Sequence, residues 1–136
     1  MKFRLRSEKE IRERLKRKKF EAETVKAVLG FLRENGFVDD RAFAKAWAES
    51  RLKKPFGLKR ISRELLSKGI PGEIIESRLE EIKKGYSEEG IILNLAKERL
   101  KKSGGIDPRK AKQRVYGYLI RRGFSMGKVI EALNQL

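Results

Sequence analysis

The sequence has no cysteine and no histidine. The first absence excludes disulfides and thiol nucleophiles. The two together exclude zinc sites built on sulfur or imidazole, and the second removes the commonest general base. No apolar run approaches the roughly 20 residues that a membrane-spanning helix requires. The basic stretch 1–20 lacks the apolar core of a secretory signal, so the expected compartment is the cytoplasm. No segment alternates apolar and polar residues with a two-residue period, so strands are not expected. Acids are short as well: 19 Asp and Glu stand against 35 Lys and Arg, a net charge of +16 over 136 residues. A chain of this length is one compact domain or a short array, and such a charge seeks polyanions or acidic protein surfaces.

What is present is helical periodicity. Around Ile70, apolar residues fall at Ile61 and Leu65 before a glycine stop at Gly69, and at Ile75, Leu79 and Ile82 after it. The same offsets from Phe20 give Ile11, Leu15, Val25, Leu29 and Leu32. From Phe124 they give Val115, Leu119, Val129, Leu133 and Leu136. Such self-similarity marks a repeat protein whose units bury their apolar faces against one another. A third helix follows each of the first two pairs, with Ile91, Leu95, Arg99 and Leu100 echoing Phe43, Trp47, Arg51 and Leu52. The expected fold is all-α: tandem three-helix repeats in an elongated, curved array of about eight helices. The expected units are 1–56, 57–106 and a partial unit of two helices, 107–136.

Local signals place the helix ends. Ser7 with Glu10 is a capping-box pattern. Asn35-Gly36 closes a second helix, and Asp39 or Asp40 opens a third after an apolar corner at Phe37-Val38. Ser87 opens the sixth helix, and Asp107-Pro108 opens the seventh as N-cap and first-turn proline. Lys19 stands where the other two units have Gly69 and Gly123. A left-handed corner there would carry strain of about 1 kcal/mol.

Charge repeats with this pattern. Residues 1–20, 51–68 and 97–122 are strongly basic, whereas 21–50 and 69–96 are acidic on balance. Basic residues near helix C-termini, such as Lys53, Lys54, Lys101 and Lys102, need no functional reason. Arg12, Arg14, Lys16 and Arg17 lie in a first helix, and the helix-end reason is not expected to account for all four. The pattern therefore predicts a periodic basic track. Its middle is Arg51, Lys53, Lys54, Lys59, Arg60 and Arg63, flanked by the four first-helix cations and by Lys101, Lys102, Arg109, Lys110 and Lys112. A periodic acidic partner suits such a track, because individually weak contacts gain when made together.

The segment Phe37-Val38-Asp39-Asp40-Arg41-Ala42-Phe43-Ala44 resembles the FxDDxxFA signature of the bacterial RecX regulators. Residues 57–70, GLKRISRELLSKGI, are similar to the family's GxxRIxxELxxKGI segment. Residues 6–12 resemble its RSExELR opening, and residues 119–125 its closing LxRRGF. The resemblance covers essentially the whole chain. It implies tandem three-helix repeats and a regulator that binds the RecA filament on single-stranded DNA, restraining its growth, ATP hydrolysis and strand exchange. DNA itself is a second candidate partner. The protein is expected to act as a monomer, without a cofactor and without catalysing a reaction. Many members begin with a further helix before the RSE segment, where only Met1 to Leu5 stand here.

Other readings are weaker on physical grounds. Asp39-Asp40 could form an acid/base or metal pair, but lies at a helix start, where capping accounts for it. Trp47 sits at core spacing rather than as a stacking platform. Ser103-Gly104-Gly105 lacks a phosphate-loop pattern and reads as a linker. Tyr116 and Tyr118 point to different helix faces, so one of them should be exposed. The competing function is a DNA- or RNA-binding helical protein acting without RecA, with Leu65–Leu79 as a helix-turn-helix. Glu73, Glu76, Glu80 and Glu81 argue against laying that second helix in a phosphate-lined groove.

Overall fold

The computed structural model describes residues 5–136, and the segment on which an earlier helix would depend lies largely outside them. The described residues form eight helices and no strand: α1 Glu8–Arg17, α2 Ala22–Glu34, α3 Asp40–Leu52, α4 Leu58–Ser67, α5 Gly72–Lys83, α6 Glu88–Lys101, α7 Pro108–Arg121 and α8 Met126–Asn134. The capping box at Ser7 forms completely, with Glu10 N donating to Ser7 Oγ and Ser7 N donating to the Glu10 carboxylate. Asp39 caps α3 and Ser87 caps α6. Asp107 holds the N-cap position of α7, but its carboxylate makes no cap hydrogen bond.

Packing sorts the helices into α1–α2, α3–α4–α5 and α6–α7–α8. The segments 1–56, 57–106 and 107–136 share the period of these groups but not their phase. Each third helix buries its apolar face against the pair that follows it, not the pair before. Phe43, Ala44 and Ala48 of α3 join Ile61, Leu65, Ile70 and Ile75 in one core. Ile92 and Ala96 of α6 join Val115, Leu119, Phe124 and Val129 in another. The alanines on the inner faces of α3 and α6 are fully buried, so these helices approach their neighbours closely.

The first pair shows what the third helix contributes. Ile70 and Phe124 are each 2% exposed under α3 and α6, whereas Phe20, at the same place in the frame, is 49% exposed. Full burial of such a side chain contributes about 1.5–3 kcal/mol. That contribution is largely absent at Phe20 among the described residues. At the Phe37-Val38 corner only Val38 turns inward; Phe37 is exposed.

The groups are locked together at two joints of similar design. At the second, Gly57 N donates to Arg122 O at 2.8 Å, and a Cβ at Gly57 would lie 2.5 Å from the Phe124 nitrogen. Gly123, with φ +93, faces Arg60; a Cβ there would lie 2.8 Å from the Arg60 backbone nitrogen. At the first, Gly69, with φ +77, faces the Lys9 side chain, and a Cβ would lie 2.6 Å from Lys9 Cβ. Each joint also carries a carboxylate from the next group's leading helix. Asp40 accepts from Glu8 N at 3.0 Å, and buried Glu88 accepts from Leu58 N at 3.0 Å. These acids satisfy amides that α1 and α4 leave without intrahelical partners. Lys68 adds an ion pair to Glu10 at the first joint, and Lys128 approaches Glu88 at the second.

Lys19 does adopt the left-handed corner, with φ 64. It is exposed and, unlike buried Gly123, receives no docked backbone among the described residues, so a side chain fits there at the cost of strain alone. Lys19→Gly is therefore expected to leave stability unchanged or raise it by up to about 1 kcal/mol. Gly123→Ala should cost more than about 2 kcal/mol, because a strained φ and a backbone clash add. Urea unfolding of the two variants checks this contrast.

Tyr86 lies beside the second joint, its hydroxyl donating to Phe56 O at 3.4 Å. Burial, with the Glu88 carboxylate as a smaller cause, pushes its phenol up from 10.0 to about 12. Folding thus favours the neutral phenol. The stability this group contributes is complete below pH 10 and is lost as pH rises from 10 towards 12. In a spectrophotometric titration of the three tyrosines, one should ionise late, and Tyr86→Phe should remove that late step. Three coincident ionisations would contradict the assignment.

Candidate binding surface

Aromatic rings alternate with cations across the second joint. Trp47 stacks on Phe43, with Arg51 4.9 Å and Lys68 5.1 Å from its centroid. Phe56 is buried and meets Arg51, Arg60 and Arg122 at 5.2, 4.1 and 4.8 Å. Arg122 also reaches Tyr118, whose ring Arg99 covers at 3.8 Å. Three guanidiniums around one ring repel each other, and each ring contact returns about 0.5–2 kcal/mol. Glu64 supplies the acid in this row, pairing with Arg51 at 2.7 Å. Trp47 is half-buried against the core and its Nε1 has no hydrogen-bond partner among the described residues.

This arrangement divides the fifteen cations of the expected track. Arg51 and Arg60 are half-buried and engaged within the protein: Arg51 with Glu64 and two rings, Arg60 with Phe56 and the Arg121 carbonyl. Lys53, Lys54, Lys59 and Arg63, from the same stretch, are exposed and form no ion pair among the described residues. Arg14 and Arg17 line a cleft of about 260 Å³ beside Ser67 and Lys68, so the basic face of α1 adjoins the end of α4. Arg12, paired with Glu8, and Lys16 face a different groove, between α1 and α2. Lys101 and Lys110 are exposed, and Arg109 and Lys112 border an apolar groove between α7 and α8. Lys102 lines a separate cleft between α6 and α7.

That last cleft also holds Arg99, Arg114 and Arg121, which the expected track did not include. Their signal was present only as the basic count of residues 97–122; nothing in the spacing tells which of ten cations converge. Arg122 and Lys68 were missed likewise, though both stand directly before a corner glycine. Tyr116 and Tyr118 are both half-buried, so neither is the exposed ring expected. The reason is that Arg99 covers Tyr118, while Tyr116 forms a wall of the α7–α8 groove.

Asp39 and Asp40 are capping groups. Asp39 accepts from Arg41 N and Ala42 N, and Asp40 serves α1 across the first joint. Among the described residues no cluster of three carboxylates is placed to hold a metal ion. No described helix is long and apolar enough to cross a membrane.

Comparison with known proteins covers nearly the whole chain. Family models match three segments: the RecX first three-helix domain over residues 2–32, the second over 39–79 and the third over 84–133. Regulatory protein RecX of Amycolatopsis mediterranei is 36% identical over 126 residues, which are 91% of this chain and 71% of that protein. The corresponding figures are 33% over 135 residues, 96% and 62%, for regulatory protein RecX of Clostridium acetobutylicum. For that of Prosthecochloris aestuarii they are 34% over 131 residues, 96% and 83%. Crystal structures of a regulatory protein RecX and of RecX from Lactobacillus salivarius each superpose with a TM-score of 0.81 over 98% of the chain. These cover 66% and 87% of the solved chains at 24% and 19% identity, and they establish the fold.

Proposed function

The chain belongs to the RecX family of regulatory proteins, and from that premise we propose that it restrains the RecA recombinase. It acts in the cytoplasm as a monomer lying along the RecA filament on single-stranded DNA. By bridging neighbouring protomers it opposes the rearrangements that filament growth, ATP hydrolysis and strand exchange require. Binding alone produces this effect, so no reaction and no cofactor are needed.

The supporting observation is the pair of capped joints, which tie the successive helical groups, each with its own basic residues, into one scaffold. A lone exposed Lys–carboxylate contact contributes about 1 kcal/mol or less and is weakened by salt. Several contacts on one preorganised scaffold act at high effective concentration, and the ordering entropy has already been met in folding. Among the expected cations, Lys53, Lys54, Lys59 and Arg63 are the exposed ones near the middle of the chain that form no ion pair with the described residues, and they are the groups assigned to the partner.

The alternative reading, a helix-turn-helix that binds duplex DNA without RecA, is disfavoured by α5. Glu73, Glu76, Glu80 and Glu81 are all exposed, so the second helix of that motif would bring carboxylates to the phosphates.

Replacing Lys53, Lys54, Lys59 and Arg63 together with Glu should leave the circular dichroism spectrum unchanged. The concentration needed for half-inhibition of RecA's DNA-dependent ATPase should rise by more than about tenfold, because linked contacts are lost together. Unchanged inhibition would remove this surface from the mechanism.

A further inference from the structure

We propose that the cleft between α6 and α7 is a direct binding site for the phosphodiester backbone of single-stranded nucleic acid. The cleft is about 510 Å³ and is lined by Arg99, Lys102, Arg114 and Arg121, with Tyr118 and Gly117 among its other walls. No carboxylate of the described residues lines it, and none of its four cations forms an ion pair among them. Four converging cations without counter-charge repel one another. An arrangement of this kind is stabilised by an anion that enters.

Comparison with the preceding group shows that the bare charge is peculiar to this cleft. Arg51 and Lys54 occupy in the α3–α4 group the places of Arg99 and Lys102. There the equivalent of Tyr118 is Glu64, which pairs with Arg51 at 2.7 Å. Phe56 packs under Arg51 and Arg60, and Arg122 of the next group closes the space. The α3–α4 position is thus neutralised and filled. In the α6–α7 group the acid is replaced by a ring that Arg99 covers at 3.8 Å, and the linker at Ser103–Asp107 brings no aromatic side chain into the gap. Gly117 keeps one wall low; a Cβ there would lie 3.2 Å from an Arg121 guanidinium nitrogen.

The size fits a nucleotide or two of flexible strand, since pockets of some 300–1,000 Å³ enclose small ligands. Arginines supply paired donors that match phosphate oxygens, and Tyr118 holds Arg99 in place rather than offering a free face to a base. This site deepens the reading above by adding a contact to the strand itself, and rests on that reading only for the identity of the polyanion.

The test is fluorescence anisotropy of a labelled single-stranded oligonucleotide with the full chain and no RecA, across a salt series. Two variants probe the cleft. Arg114→Glu with Arg121→Glu removes two contacts. Tyr118→Glu places beside Arg99 the acid that Arg51 already has, and removes no cation. Lys83→Glu with Lys84→Glu, at the C-terminal end of α5, makes the same net charge change as the first variant at an exposed place outside the cleft's lining. The wild type should bind. The double arginine variant should lose at least about tenfold in affinity, with its log–log salt slope shallower by about 1.4, the value for two lost phosphate contacts on a single strand. Tyr118→Glu should also weaken binding, and the α5 variant should weaken it less than about threefold. Circular dichroism confirms that each variant folds. Equal losses in the arginine and α5 variants, or no binding by the wild type, would overturn the site. Inhibition of RecA by the wild type is measured alongside. Its absence would overturn the RecA reading, while intact binding in the cleft would leave this one standing.

Discussion

Gly57 and Gly123 meet backbone to backbone, at a separation no side chain could enter, and Gly57 N donates to Arg122 O across the contact. The relation between the second and third helical groups depends on that approach. It brings Leu58 N onto the Glu88 carboxylate, so the start of α4 is capped from another group rather than from its own flank. Gly57 has no side chain with which to cap, which makes the borrowed acid necessary. At the first joint Ser7 caps its own helix, and Asp40 adds a second acceptor across the contact. The two joints share a plan and differ in who supplies the cap. A buried carboxylate with a hydrogen-bonded amide is costly to separate, so the joint resists hinging.

The same approach concentrates positive charge. Arg60 and Arg122 are drawn to Phe56 from opposite sides of the joint, and Arg51 joins them from α3. Such crowding is tolerated because the ring faces are negative and Glu64 balances one guanidinium. Cations consumed in holding the joint are unavailable to a partner. The exposed lysines around it and the uncompensated cations between α6 and α7 remain available, and the functional reading rests on this division of labour.

Much of the local structure was legible from residue types. The capping box at Ser7, the N-cap at Asp39, the glycine corners and the strained corner at Lys19 all follow from short-range stereochemistry, which acts within a few residues. In the second and third pairs the apolar frame named most of the core, because burial at Ile61, Leu65, Val115 and Leu119 is a property of one helix face, whereas its positions Phe20 and Leu136 are exposed. The phase of the repeat was not legible. A period says how often a face recurs, and is silent on whether α3 turns it towards α2 or α5. Nor was the fate of individual cations. Arg51 and Lys53 look alike in sequence, and only the fold sets one against Glu64 and leaves the other in solvent. The cleft between α6 and α7 gathers residues from two helices and a linker, so spacing along the chain could not reveal it.

The central claim is that the joints preorganise the array, so that its cations reach a filament at set spacings. The absence of cysteine permits a direct measurement, since cysteines can be introduced for spin labelling without background. With Glu23→Cys on α2 and Glu131→Cys on α8, pulsed electron–electron resonance reports the distance between the outer groups. The account predicts one narrow distance distribution in the free protein, unchanged when RecA and single-stranded DNA are added. A broad or multiple distribution in the free protein that narrows only on the filament would contradict it.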